Sequence, residues 1–249
     1  MSERMFSFLS RNHKKTGDTY NPLGGECQHK CQYCYVKTLK KMFPGVREKY
    51  SGIPRIKDKW LNEIKQFTKD DYVFVCDMTD LFGYWVPTQL IQTILDAVRK
   101  SPAKFLLLTK YPQRYLDLIS LGVHIPQNCI AGCTIESDID HLITVPAKNR
   151  LQAMADLSSM GYPVMLSIEP IMKFDLARFP LWIAKIKPEF VAVGYDNYNN
   201  GLPEPELKTT LHLIELLEKS GIKVYRKTLR EKNDVQDCEK EEEAKTGLT

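Results

Sequence analysis

Short apolar runs separated by amphipathic segments constrain this chain more than any other feature. The runs are 72–76, 104–108, 129–134, 163–167, 190–193 and 222–225. They do not alternate polar with apolar, so each reads as a strand buried on both faces. Between them, apolar residues recur at helical spacing: Leu90, Ile91, Ile94, Leu95 and Val98 after Pro87, then Leu151, Met154, Ala155 and Leu157, then Leu211, Ile214 and Leu217. Strands alternating with such helices imply a parallel α/β sheet covered by helices and joined by right-handed crossovers. A short strand at Thr19-Tyr20-Asn21-Pro22 brings the expected count to about seven. The pattern does not separate an open doubly wound sheet from a barrel.

Shorter elements follow from the same reading. Helices are expected over 35–43, ending before a Pro44-Gly45 turn, over 55–67, and over 113–120, ending at Gly122. Asp175 is expected to cap a helix carrying Leu176, Phe179, Trp182, Ile183 and Ile186, disturbed by Pro180. No internal repeat or second domain is visible. Residues 18–230 form one domain, 1–17 a strap, and 231–249 a charged tail, placed by its charge run.

The balance of 35 basic and 31 acidic residues, a net charge of +4, does not mark a nucleic-acid binder. It leaves room for a local patch, and Lys14, Lys15, Lys30, Lys37, Lys40 and Lys41 cluster in sequence. No apolar run approaches the roughly 20 residues of a membrane span, and residues 1–19 lack a signal-peptide core. A cytoplasmic location is expected.

Cys27, Cys31 and Cys34 sit within eight residues, just after Gly24-Gly25. Thiolates suit zinc, copper or iron–sulfur clusters. A closed zinc site needs four protein ligands, and a closed [4Fe–4S] site usually has four cysteines. Three thiolates on a cluster leave one iron without a protein ligand. His29, inside the loop, is an alternative fourth ligand for zinc, and a ligand from elsewhere is another. With Cys76, Cys129, Cys133 and Cys238 scattered, the odd total of 7 fits a metal site in a reducing compartment better than a disulfide framework.

Chemistry in parallel α/β folds collects at the carboxyl ends of the strands. Here those ends carry Asp77, Met78, Thr79 and Asp80; Thr109 and Lys110; Thr134 and Glu136; Ser167 and Glu169; Gly194 and Asp196; Arg226 and Lys227. Polar ends on successive strands imply a pocket wall. Any one of these residues is equally open to a structural role, and Lys110, Arg226 and Lys227 are natural partners for Asp80, Glu169 or Asp196.

The cysteine spacing and the Tyr33 before the last cysteine resemble the cluster loop of the radical S-adenosylmethionine (radical SAM) superfamily. Asn21-Pro22, Met78-Thr79-Asp80-Leu81-Phe82, Leu108-Thr109-Lys110-Tyr111-Pro112-Gln113-Arg114 and Leu166-Ser167-Ile168-Glu169-Pro170 resemble a family within it found in phages and prophages, over roughly 18–229. This resemblance implies a partial (β/α)6-type barrel, open at one side, with its cluster loop at 24–35. It implies a [4Fe–4S] cluster on Cys27, Cys31 and Cys34, and S-adenosylmethionine (SAM) on the open iron. Reductive cleavage then gives a 5′-deoxyadenosyl radical that abstracts a hydrogen atom from the substrate. An external electron donor such as flavodoxin is implied. By the same similarity Asp77, Met78, Thr79 and Asp80 lie near the SAM amino group, Thr134 and Glu136 near its ribose or methionine, and Ser167 among the cofactor-binding residues. Arg150 pairs with its carboxylate, and Tyr35 and Gly194 approach the adenine. Lys110, Glu169, Asp196 and Arg226 are left as catalytic or substrate-facing candidates. The usual glycine-rich motif after the second strand is absent. The implied activity is that of a lyase, isomerase or modifying enzyme, with a hypermodified pyrimidine nucleotide or DNA base as candidate substrate. An iron–sulfur electron carrier and a zinc-bearing nucleic-acid-binding module are the alternatives.

Overall fold

Residues 19–141 and 145–231 are described in the structure, a computed structural model. The expected strap at 1–17 and all but the first residue of the expected tail lie outside them. Thr19–Tyr20 forms β1, and Leu23–Gly24 forms β2. The cysteine loop leads into α1, Val36–Met42. The expected Pro44-Gly45 turn is instead the start of a second helix, α2, Pro44–Lys49. A proline at the first helical position loses no hydrogen bond, because that N–H has no partner within the helix.

The helix expected over 55–67 is divided. Arg55–Ile56 is β3, pairing antiparallel with β2, Leu23 opposite Ile56. Asp58–Asn62 is α3, and Glu63–Gln66 is a 3-10 turn. Then the expected alternation holds: β4 Tyr72–Val75, α4 Thr88–Lys100, β5 Lys104–Thr109, α5 Gln113–Ser120, β6 Cys129–Thr134, α6 Ala147–Ser159 and β7 Val164–Ile168. Helix α7 runs Phe179–Ile186, so Pro180 falls in its first turn, where proline is tolerated. β8 Phe190–Val193, α8 Leu207–Lys219 and β9 Val224–Arg226 complete the chain.

β1, β4, β5, β6, β7, β8 and β9 form one parallel sheet in that order, with β1 and β9 at its ends. Successive strand residues point to opposite faces. Val73, Val75, Phe105, Leu107, Leu166 and Val191 belong to the main core, with Ile91, Ile94, Leu95 and Val98 of α4. Burying each such side chain contributes about 1.5–3 kcal/mol. Phe74, Leu106, Met165, Phe190 and Ala192 form a second, smaller core. Counting on by twos along this second face reaches Lys110 from Leu106, Glu169 from Met165 and Gly194 from Ala192. No helix among the described residues is long and apolar enough to cross a membrane.

Candidate active site

The carboxyl ends of the strands and the cysteine loop enclose a cavity of about 280 Å³. Gly25 starts the loop with φ 111°, a value glycine adopts freely, and an added Cβ would lie 2.7 Å from the Ile53 carbonyl oxygen. Cys27, Cys31 and Cys34 all line the cavity, and all are free thiols. Burial pushes the Cys27 thiol up to about 12, with the Asp80 carboxylate acting in the same direction. Burial also raises Cys31, partly opposed by Lys110.

The residues between the cysteines tie the loop to distant strand ends. His29 Nε2 meets Asp80 Oδ2 at 2.7 Å. Gln32 donates to the Asn200 carbonyl at 2.9 Å. The Tyr33 hydroxyl donates to Glu136 Oε1 and accepts from Lys110 Nζ. Lys37 Nζ donates to the Cys31 carbonyl at 2.7 Å.

Three elements meet at Glu136. Its Oε1 accepts from Lys110 Nζ at 2.9 Å, and its Oε2 from Arg150 NH1 at 2.6 Å. Arg150 NH1 also donates to the Thr134 carbonyl at 2.6 Å. Burial disfavours a charge here, but Lys110 and Arg150 outweigh it and hold Glu136 well below the usual carboxylate range. Glu136 and Arg150 therefore form a buried layer behind Lys110 and Thr134, which line the cavity. Arg150, expected to face a ligand carboxylate, has a carboxylate of this chain instead.

Around the rest of the wall, Asp77, Met78, Thr79 and Asp80 all line the cavity. Burial raises Asp77 above its ordinary range, against bonds from Asn21 Nδ2 at 2.6 Å and the Tyr35 hydroxyl at 3.2 Å. For Asp80 burial also acts upward, but the bonds from His29, the Lys110 N–H and Thr109 prevail and lower it. Ser167, Glu169, Asp196 and Tyr35 line the cavity as well. Asp196 spends its oxygens on its own loop, accepting from the Asn200 N–H at 2.6 Å and the Tyr198 N–H at 3.2 Å.

Two further expected positions, Arg226 and Gly194, also lie off the cavity wall. Arg226 points outward and pairs with Glu218 of α8 at 3.1 Å. Its neighbour Lys227 has the inward parity, and its Nζ reaches Glu169 Oε2 at 2.8 Å. Gly194 backs this pair: a Cβ there would sit 2.9 Å from Lys227 Cβ and 3.4 Å from Glu169 Oε1. Cys133 and Cys76 are both buried in the main core, and Cys76 also lines the cavity. Tyr33 is absent from the expected site residues. Its partners lie 77 and 103 positions away, so no local pattern signals them.

Three unbridged thiols around one cavity are a donor set suited to a soft metal or an iron–sulfur cluster. No three His, Cys, Asp or Glu side chains among the described residues are grouped to hold one metal ion. Two sulfurs on one zinc lie within roughly 4 Å of each other, given Zn–S bonds of about 2.3 Å. On a cubane cluster each thiolate would bind its own iron. His29, the one loop residue available as a fourth zinc ligand, is bonded to Asp80.

The fold is also found among solved structures. SuiB of Streptococcus suis, in a crystal structure bound to S-adenosylmethionine, superposes with a TM-score of 0.51 at 9% sequence identity. The superposition covers 85% of this chain and 47% of SuiB, so the chain spans about half of SuiB's length. At that identity the likeness is one of fold. A search of curated proteins finds no match. Residues 12–215 match a family model described as "Protein of unknown function (DUF5131)", and the chain belongs to that family.

Proposed function

We propose that this chain is a radical SAM enzyme of the phage-associated type, built on a partial (β/α)6 barrel open at one side and acting in the cytoplasm. Three unbridged thiols of one loop line the same cavity as the polar strand ends, and this observation carries the reading. Cys27, Cys31 and Cys34 would hold a [4Fe–4S] cluster. Bound there, and with an external electron donor such as flavodoxin, such a cluster would supply the one-electron chemistry for reductive cleavage of SAM to methionine and a 5′-deoxyadenosyl radical, the species that would take a hydrogen atom from the substrate.

The chain's own residues supply position and seclusion. The segment Asp77–Asp80 offers backbone carbonyls and the Asp77 carboxyl to an amino group. Thr134 and Ser167 offer hydroxyls on the inner face. Tyr35 presents its ring to the cavity while its hydroxyl is held by the Asp77 carbonyl at 2.9 Å. Arg150 acts on a ligand through Glu136 rather than by direct contact. Glu169 and Asp196 line the cavity beyond the ends of β7 and β8, and we assign them to the substrate. Exposed Tyr198 on the same loop suits a planar group, consistent with a pyrimidine nucleotide or DNA base as the target of modification, rearrangement or repair.

The test is anaerobic reconstitution with iron and sulfide, followed by dithionite and SAM. About four irons per chain and release of 5′-deoxyadenosine are expected from wild type, and neither product nor full iron loading from Cys31→Ala. Iron without 5′-deoxyadenosine would mark an electron carrier, and stoichiometric zinc with no iron uptake would replace the reading with a zinc module.

A further inference from the structure

The buried group formed by Lys110, Glu136, Arg150 and Tyr33 is not balanced in charge. Two cations face one carboxylate, and the Tyr33 hydroxyl keeps the proton that it donates to Glu136. Both Glu136 oxygens are occupied, Oε1 by Lys110 and Tyr33 and Oε2 by Arg150. Within this group one positive charge is therefore in excess, in a region where charges are weakly screened. The nearby Asp80 carboxylate adds a negative charge to the region but makes no bond to the Lys110 ammonium. Asp80 takes the Lys110 backbone N–H, the Thr109 hydroxyl and His29, not the Lys110 ammonium.

The excess has a direction. Arg150 lies behind Glu136 and away from the cavity, whereas Lys110 lines it. The ammonium also sits 4.8 Å from the centre of the Tyr33 ring, between Cys31 and Cys34 in sequence. Lys110 and Cys31 line the same cavity. With two of its contacts fixed by Glu136 and Tyr33, the ammonium cannot swing to solvent without breaking both.

We infer that Lys110, clamped by Glu136 and Tyr33, is a fixed positive charge that raises the reduction potential of an iron–sulfur cluster held by the cysteine loop. The inference rests on the cluster reading above. Net charge and hydrogen bonding near the sulfurs set the potential of such clusters. An added electron is stabilised by a nearby cation that solvent does not screen. Lys110 is thus a positioning and electrostatic residue for electron entry, not one that must touch substrate.

The experiment is a redox titration of reconstituted full-length protein without SAM, followed by the electron paramagnetic resonance signal of the reduced cluster. Lys110→Met should move the midpoint potential to more negative values. Lys110→Arg, which keeps the charge, should stay close to wild type. Arg150→Met removes an equal charge from the far side of Glu136 and should give a smaller negative shift. Should Lys110→Met not fold, the order of Lys110→Arg and Arg150→Met decides, with Arg150→Met the more negative. An unchanged potential in Lys110→Met overturns the inference, as does a Lys110→Arg or Arg150→Met shift as large as that of Lys110→Met. Wild-type protein that takes up no cluster overturns both readings, whereas loaded wild type with the wrong order of shifts overturns this one alone.

Discussion

Replacing Arg150 by methionine tests the buried layer behind the cavity, with no ligand needed. The stem volume is largely kept, so the loss is mainly polar. Arg150 NH1 gives up two bonds of 2.6 Å, to Glu136 Oε2 and to the Thr134 carbonyl. Breaking a buried ion pair costs about 3–5 kcal/mol when the remaining charge is left alone. Glu136 is not left alone, because Lys110 and Tyr33 still hold Oε1. Arg150 Nε is itself buried without a hydrogen-bond partner, so its removal returns part of the loss. The expected cost is therefore about 2–3 kcal/mol, or a fall in Tm of roughly 4–12 °C at about 2–4 °C per kcal/mol. Urea unfolding at pH 7 reads it directly. The pH dependence separates charge from packing. Glu136 titrates lower in the folded chain than its unfolded value near 4.3. Its contribution is therefore present above about pH 4.3 and is lost as pH falls toward the folded value. Without Arg150 that folded value rises and the contribution shrinks. The gap between wild type and variant should then narrow at pH 3.5. A cost under about 1 kcal/mol at pH 7, or a gap unchanged between the two pH values, would refute the assigned role of the pair.

Arg226→Ala should change stability by less than about 0.5 kcal/mol, because its partner Glu218 is a surface carboxylate. Lys227→Met should cost about 3 kcal/mol by leaving Glu169 without its cation, with only the Asn197 amide still bonded to it, and equal effects in thermal melts would contradict the inward parity of Lys227. Gly194→Ala should cost about 1–3 kcal/mol, since the new methyl meets Lys227 Cβ at 2.9 Å; a melt unchanged from wild type would show that the pair moves aside freely.

The long elements were legible because their signal is periodic. The runs at 72–76, 104–108, 129–134, 163–167 and 190–193 became β4 to β8 with bounds shifted by at most one residue. Two-residue strands carry no period, so the β2–β3 pairing was invisible, and Ile56 joined the helical pattern of Trp60 and Ile64 only by coincidence. Pro44 and Pro180 both read as breaks but open helices, since proline's missing N–H matters only beyond the first turn. Within the candidate site, strand parity was available and was not fully used. Counting by twos from Tyr225 gives Lys227, not Arg226, as the inward cation. The partner of Arg150 was not available in this way. A carboxylate on a strand end and one in a ligand are alternatives that only the folded positions distinguish.

The contacts of the cysteine loop bear on how the site assembles. Each residue that ties it down reaches a different strand end: His29 the loop after β4, Tyr33 the ends of β5 and β6, Gln32 the loop after β8. The last of these spans 168 positions in sequence. Loop-closure entropy grows slowly with length, but such contacts form only once the sheet from β4 to β8 is in place. The thiols are therefore aimed by the finished sheet and not by the short segment that carries them. A metal bound to the unfolded segment would meet three flexible thiols, whereas one bound to the folded chain meets a loop fixed from three sides. Affinity for the folded state is favoured by this pre-organisation, and a cluster bound there would in turn stabilise the strand ends that hold the loop.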